Sequence, residues 1–366
     1  MGTYCSIKYL RLFFQGIAIA AVILPALVSA QDKTPKYSNE FMNLGVGGRA
    51  MAMANAQVAI SDDVTSGYWN PAGLLNIRNR YEGALMHASY FAGIANYDYT
   101  GFATPIDSLS HFGTSIIRFA VDDIPDTRYL YDANGAINYD NIRFFTAADY
   151  AFLISYARRF PALENLFVGG NIKVIHRKVG EFASAWGFGI DLGAQLALKN
   201  WHFGATFRDV FGTFNAWSHN SDLVEDIYLQ TGNIIPQNSV EITLPRLILG
   251  IAYQFRIGEK IGILPAADID LTFDGQRNVA FATGTLSIDP KIGIEMDYGK
   301  MAFLRVGVNN FQQIKDFSGS EYISYQPAMG LGVKISMLTV DYAFLDIGDQ
   351  AESLYSHVFS LKVSFD

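Results

Sequence analysis

Cysteine is all but missing: the 366 residues hold one, Cys5, inside an apolar leader-like stretch. A stabilising disulfide is thereby excluded, as are thiol-ligated metal centres and a cysteine nucleophile in the body of the chain. Charge of one sign is also short. Lys and Arg number 27 against 35 Asp and Glu, and no cluster of them appears anywhere. A nucleic-acid partner needs a basic footprint, so that class is set aside. Long apolar runs end with the leader. After residue 30 no stretch approaches the ~20 apolar residues of a membrane helix. Catalytic patterns are absent as well. The six histidines (His87, His111, His176, His202, His219 and His357) show no ligand spacing, and no G-x-S-x-G elbow occurs. No cofactor, metal site or enzymatic constellation is expected.

The first thirty residues carry Lys8 and Arg11, an apolar core, and then Val28, Ser29 and Ala30 before Gln31. This order predicts a secretory signal over 1–30. An N-terminal anchor fits less well, because the core ends in small residues rather than a charged stop.

From residue 80 onward the sequence alternates with period two. Phe359, Leu361, Val363 and Phe365 alternate with Ser360, Lys362 and Ser364. Ala267, Ile269, Leu271 and Phe273 alternate with Asp268, Asp270, Thr272 and Asp274. Strands are expected near 80–91, 94–104, 112–122, 144–158, 165–178, 184–198, 200–210, 240–256, 262–274, 286–298, 301–311, 323–335, 337–346 and 354–365. The connections differ by parity. Residues 199–200, 299–300 and 336–337 are tight and follow even-numbered strands. Residues 122–143, 211–239, 275–285, 311–322 and 346–353 are long and follow odd-numbered ones. Strand length, aromatics near strand ends (Trp201, Phe255, Tyr298) and this parity together predict an all-β, transmembrane antiparallel β-barrel of about 14 strands over 80–366. Its setting would be the outer membrane of a Gram-negative cell, with outer-membrane lipid around it.

Residues 31–79 are different. "LGVGGRAMAMANAQVA" starts like a phosphate loop, but it has no Lys-Ser/Thr pair and follows a polar segment instead of a strand. Its small residues suit close packing inside something else. Here the chain resembles a known family. Gly48-Arg49-Ala50-Met51-Ala52-Met53-Ala54-Asn55-Ala56, then Asp62-Asp63, then Trp69-Asn70-Pro71-Ala72-Gly73-Leu74, is similar to the start of PorV/PorQ outer-membrane proteins. That family shares its fold with FadL-type transporters. The resemblance implies a plug inside the barrel, with Arg49, Asp62, Asp63, Asn70, Pro71, Ala72 and Gly73 as its motif.

Asp268, Asp270, Asp289, Glu295, Asp297 and Asp341 fall on one face of their strands and are expected to line the lumen. Arg49 is expected to meet at least one of them, and Asp62 or Asp63 to cap a helix or pair with Lys291 or Arg305. Two functions follow. The PorV/PorQ resemblance implies a component of type IX protein secretion that binds secretion-system proteins or exported cargo. Its contact residues would be the loop aromatics Tyr129, Tyr131, Tyr139, Phe214, Trp217 and Tyr228. The FadL likeness implies a transporter of a hydrophobic ligand, with an apolar pocket by Met51, Met53, Val58 and Ile60.

Overall fold

The computed structural model describes residues 38–160, 165–273, 277–279, 281–284, 286–315, 319–346 and 355–366; the expected signal segment lies outside the described residues. The strands are β1 Tyr81–Tyr90, β2 Ala95–Asp107, β3 Ser110–Asp126, β4 Arg143–Arg159, β5 Leu166–Val179 and β6 Ala183–Leu198. β7 runs in two stretches, Trp201–Arg208 and Thr213–His219, and β8 in three, Ser239–Thr243, Arg246–Tyr253 and Phe255–Ile257. Then come β9 Ile261–Thr272, β10 Ser287–Tyr298, β11 Ala302–Lys315, β12 Glu321–Ile335, β13 Leu338–Asp346 and β14 Tyr355–Phe365. Each pairs antiparallel with its successor, and β1 pairs with β14 from Tyr81↔Phe365 to Ser89↔His357, closing the sheet into a barrel of fourteen strands.

Alternation sets the two faces. On β1, Glu82, Ala84, Met86, Ala88 and Tyr90 are buried, whereas Leu85 and His87 are exposed. On β10, Glu295 is buried between exposed Ile294 and Met296. Exposed apolar side chains such as Ile116, Ile154, Leu304, Leu331 and Leu361 recur around the outside. So large a continuous apolar surface belongs in hydrocarbon, and closure leaves no strand edge unpaired there. The barrel therefore spans a bilayer. One rim carries the rings of Trp201, Tyr253 and Phe255, with centroids 4.7 and 4.4 Å apart, and Tyr81 beside Phe365 at 5.5 Å. Such a girdle marks a membrane–water interface. The tight connections 108–109, 199–200, 258–260, 299–301 and 336–337 all lie at this rim.

Two connections are shorter than the sequence suggests. β3 and β4 continue pairing to Asp126↔Arg143, which narrows 122–143 to 127–142. The segment 211–239 begins with strand, because Thr213–His219 pairs with both β6 and Ser239–Thr243, and this narrows the connection to 220–238. Residues 209–212, which the sequence divides between the end of a strand and the start of a loop, have left-handed φ at Asp209 (55°) and Gly212 (78°). In the barrel they form a bulge, held to the wall by the Val210 N–H donating to the Ile190 carbonyl at 3.0 Å.

Candidate functional site

The lumen is occupied by the N-terminal segment. It folds as a 3-10 turn Glu40–Asn43, a short helix α1 Gly48–Ala52, a one-turn helix α2 Ser66–Trp69 and a second 3-10 turn Pro71–Asn76. Short elements suffice because inward-facing wall groups satisfy the backbone. The Gly48 N–H donates to Ser360 Oγ at 2.7 Å, and the Val64 N–H to Glu82 Oε1 at 2.7 Å. Asp268 Oδ2 accepts from the N–H groups of Gln57 and Val58 at 2.8 and 2.9 Å. Gln195 Nε2 donates to the Val58 and Ser61 carbonyls, and Asn171 Nδ2 to that of Gly67.

Close approach explains the small residues. Ala50, Ala52, Ala54 and Ala56 are all at most 2% exposed. The wall opposite is reduced to glycine where the main chain of the plug runs along it. A Cβ on Gly204 would overlap the Val58 carbonyl oxygen, and one on Gly293 would stand 2.5 Å from that of Met53. In the plug itself Gly48 serves the same close packing, since a Cβ there would stand 2.8 Å from Ser360 Oγ and 3.1 Å from the Asp341 carbonyl oxygen.

Charge locks the same contact. Arg49 Nε donates to Glu295 Oε2 at 2.8 Å, and its Nη1 to Asp62 Oδ1 at 2.6 Å. Glu295 also accepts from Arg305 Nε at 2.7 Å, and Arg305 Nη1 reaches Asp341 Oδ1 at 2.6 Å. Arg305 is 2% exposed, and two plug groups and three wall groups form one chain of alternating sign, buried from Glu295 to Asp341 and open to solvent at Asp62. Asp63 pairs with Lys362 at 2.8 Å and accepts from the Thr65 N–H and hydroxyl. Burial alone raises the Asp63 carboxyl, but Lys362 and these hydrogen bonds outweigh it and hold the group at about 2.

The Asn-Pro-Ala-Gly element is a second lock. Asn70 Nδ2 donates to the Val58 and Ala194 carbonyls at 3.0 Å each, while its Oδ1 accepts from the Ala72 N–H at 3.2 Å. Pro71 opens the 3-10 turn, where its missing N–H costs nothing, and Ala72 and Gly73 are buried behind it.

Toward the rim opposite the aromatic girdle the plug leaves a cavity of about 460 Å³. Its floor includes Met51, Tyr68 and Trp69 of the plug. Its walls carry Tyr90, Arg208, Arg246, Asp270, Asp289 and Lys291. Arg246 and Lys291 both reach Asp270 Oδ2, at 3.1 and 3.6 Å. The Arg208 guanidinium lies 4.5 Å from the Tyr68 ring and donates to the Met42 and Tyr68 carbonyls. Asp289 makes no hydrogen bond or ion pair with any described residue.

Several sequence expectations need correcting. Asp62 and Asp63 find Arg49 and Lys362, not Lys291 or Arg305, because closing β1 against β14 brings the last strand to the plug. Asp297 lies at the girdled rim, accepting from Arg256 and from the Lys300 N–H, away from the other carboxylates. Met53 and Ile60 pack with Ala56, Ala59, Ala252, Leu264 and Ala266, and the Val58 backbone is bound to Asp268. Only Met51 of the anticipated pocket lines the cavity. Tyr129, Tyr131 and Tyr139 are exposed in the outer connection, with Arg143 4.4 Å over the Tyr129 ring. Tyr228 belongs to a short helix Glu225–Thr231. Phe214 and Trp217 stand on β7; Trp217 Nε1 donates to Glu241 and its ring takes Arg177. The cavity cations Arg208 and Arg246 were missed, although each stands two positions along its strand from a buried residue, Thr206 or Ile248, and so shares its inward face.

In fold the chain is similar to the toluene transporter TbuX of Ralstonia pickettii, at 14% identity over 88% of this chain and 99% of that one, with a TM-score of 0.52. It is likewise similar to the toluene transporter TodX of Pseudomonas putida, at 13% identity over 88% and 98% with a TM-score of 0.56. A FadL homologue of Pseudomonas aeruginosa aligns at 12% identity over 87% and 97%, with a TM-score of 0.51. At such identities the likeness is one of fold, and the fold is FadL-like. No family model and no curated protein sequence matches the chain. The PorV/PorQ resemblance and the secretion role it implies find no support in these comparisons.

Proposed function

We propose that this protein is a non-enzymatic channel of the Gram-negative outer membrane that admits small, largely apolar molecules, with the N-terminal plug as its gate. The observation that carries this reading is the cavity of about 460 Å³ above the plug, which falls in the size range of small-molecule sites. The structural neighbours TbuX and TodX are toluene transporters, which supports the same class. A charged lumen would favour a scaffold over a conduit. The charges between plug and wall, however, are spent on one another, and the space that remains is floored by Met51, Tyr68 and Trp69. Passage requires the plug to shift, since it fills the lumen below the cavity.

The test is uptake of dilute toluene by intact Gram-negative cells expressing the full chain, against the same cells without it, because a plain phospholipid bilayer passes toluene unaided. Faster uptake is expected with the protein, and equal uptake refutes the reading. Deleting the gene is expected to leave surface and secreted proteins unchanged. Periplasmic accumulation of exported cargo would restore the secretion role.

A further inference from the structure

The lipid-facing wall is not uniform. On β10 the outward side chains Ile292, Ile294 and Met296 follow one another, and on β12 Met329, Leu331 and Val333, all apolar and exposed. On β2 the outward positions read Asn96, Asp98, Thr100, Phe102 and Thr104, between buried tyrosines and alanines. Strand register then sets His87 of β1, Asp98 of β2 and Arg118 of β3 in one row across the outside. His87 Nδ1 meets Asp98 Oδ1 at 2.7 Å, and Arg118 Nη1 donates to Asp98 Oδ2 at 3.3 Å. Even so paired, the three side chains stay 57%, 40% and 32% exposed.

This row lies away from the girdled interface. Tyr81 and Phe102 stack at the girdle, with centroids 6.1 Å apart; toward the outer rim His87 lies six residues from Tyr81, and Asp98 four from Phe102. At about 3.4 Å per residue and a strand tilt of about 40°, the row stands roughly 10–16 Å from the girdle, inside an apolar band about 25 Å tall. Charge on the lipid face is destabilising at that depth, so the row needs a cover other than hydrocarbon. Beside it the wall is dished: a hollow of about 620 Å³, bordered by Leu85, Thr100, Ile116 and Phe359, gives a partner's side chains a seat.

The charge pattern selects the partner. Asp98 and Arg118 stand side by side on neighbouring strands with opposite signs, so a uniformly acidic or basic partner would meet one like charge. A two-fold axis along the membrane normal, passing between β2 and β3, instead sets Asp98 of each copy opposite Arg118 of the other. We infer that β1–β3 form the face by which two copies of this chain pair side by side in the membrane. The inference goes beyond the channel reading and does not depend on what the lumen carries.

Sedimentation equilibrium of the purified full chain in detergent is expected to give the mass of two chains. Asp98→Arg sets like charges across the axis and is expected to raise the dimer dissociation constant at least tenfold. Adding Arg118→Asp restores opposite signs and is expected to bring the constant back within about threefold of the original, a recovery that a folding defect would not show. Heat-modifiable migration on gels confirms that each variant is a folded barrel. In the native membrane, Thr100→Cys in a Cys5→Ser background is expected to join a second copy through a short bis-maleimide, while Leu331→Cys on the apolar wall stays single. A single-chain mass at every concentration overturns the inference, as does a folded Asp98→Arg variant that pairs as tightly as the original. A cross-link from Thr100→Cys to a different protein also overturns it, and gives the face to that protein.

Discussion

Removing the Glu295 carboxylate should release the plug. Among the described residues Glu295 is the one acid touched by both Arg49 of the plug and Arg305 of the wall, at 2.8 and 2.7 Å. In Glu295→Ala, Arg305 keeps Asp341, but Arg49 is left with only Asp62, which is 51% exposed. Two guanidiniums then share a buried site with one acid fewer. Breaking a buried pair from one side costs about 3–5 kcal/mol, because the remaining charge has lost its compensation. If that loss falls on docking, the ratio of docked to undocked plug drops by roughly 150- to 4,700-fold. Hydrogen exchange read by mass spectrometry on a peptide covering residues 48–60 measures this directly, since exchange from the opened state scales with its population. Asp62→Ala is the control. Its pair is half in solvent and worth about 0–1 kcal/mol, so acceleration below roughly fivefold is expected. If Glu295→Ala accelerates exchange no more than Asp62→Ala, the buried chain of charges does not hold the plug and the reasoning fails.

Other outcomes follow from the same contacts. Gly293→Leu places a side chain on the Met53 carbonyl and should displace the plug at a cost of about 1–3 kcal/mol, seen as higher conductance in planar bilayers. Asn70→Ala removes donors to Val58 and Ala194 and an acceptor for Ala72; exchange at 70–76 should rise by at least tenfold. Acid should loosen the plug through Asp63. Its folded value of about 2 lies below the unfolded 3.8, so its contribution is complete above about 3.8 and disappears as pH falls toward 2. Asp63→Asn should flatten that part of the exchange–pH profile, and an unaltered profile would count against the Lys362 pairing.

Much of the barrel was legible because a bilayer and a wet lumen impose the same rule on every strand. Ile294, Glu295 and Met296 declare their faces by order alone. Turn parity was legible for a similar reason, since residues 199–200 and 336–337 leave room for nothing but a tight reversal. The bulge at 209–212 was not, because an aspartate and a glycine in left-handed conformation look the same in a turn and in an interrupted strand. The Lys362–Asp63 pair spans 299 positions and exists only once the sheet has closed on itself, which no local pattern encodes. The difference between Asp289 and the other lumen acids was hidden for another reason. As a lumen carboxylate it looked like Asp268 and Asp341, and only the finished structure shows that those two are engaged and Asp289 is not.

The seam between β1 and β14 carries more than the closing hydrogen bonds. Ser360, Lys362 and Ser364 of β14 reach Gly48 N–H, Asp63 and Glu82, and Glu82 in turn holds the Val64 N–H. The final strand of the chain is therefore the one that recognises its first folded segment. The same few side chains thus fasten two joints at once, the meeting of the last strand with the first and the seating of the plug, so a change at Lys362 or Glu82 is felt at both.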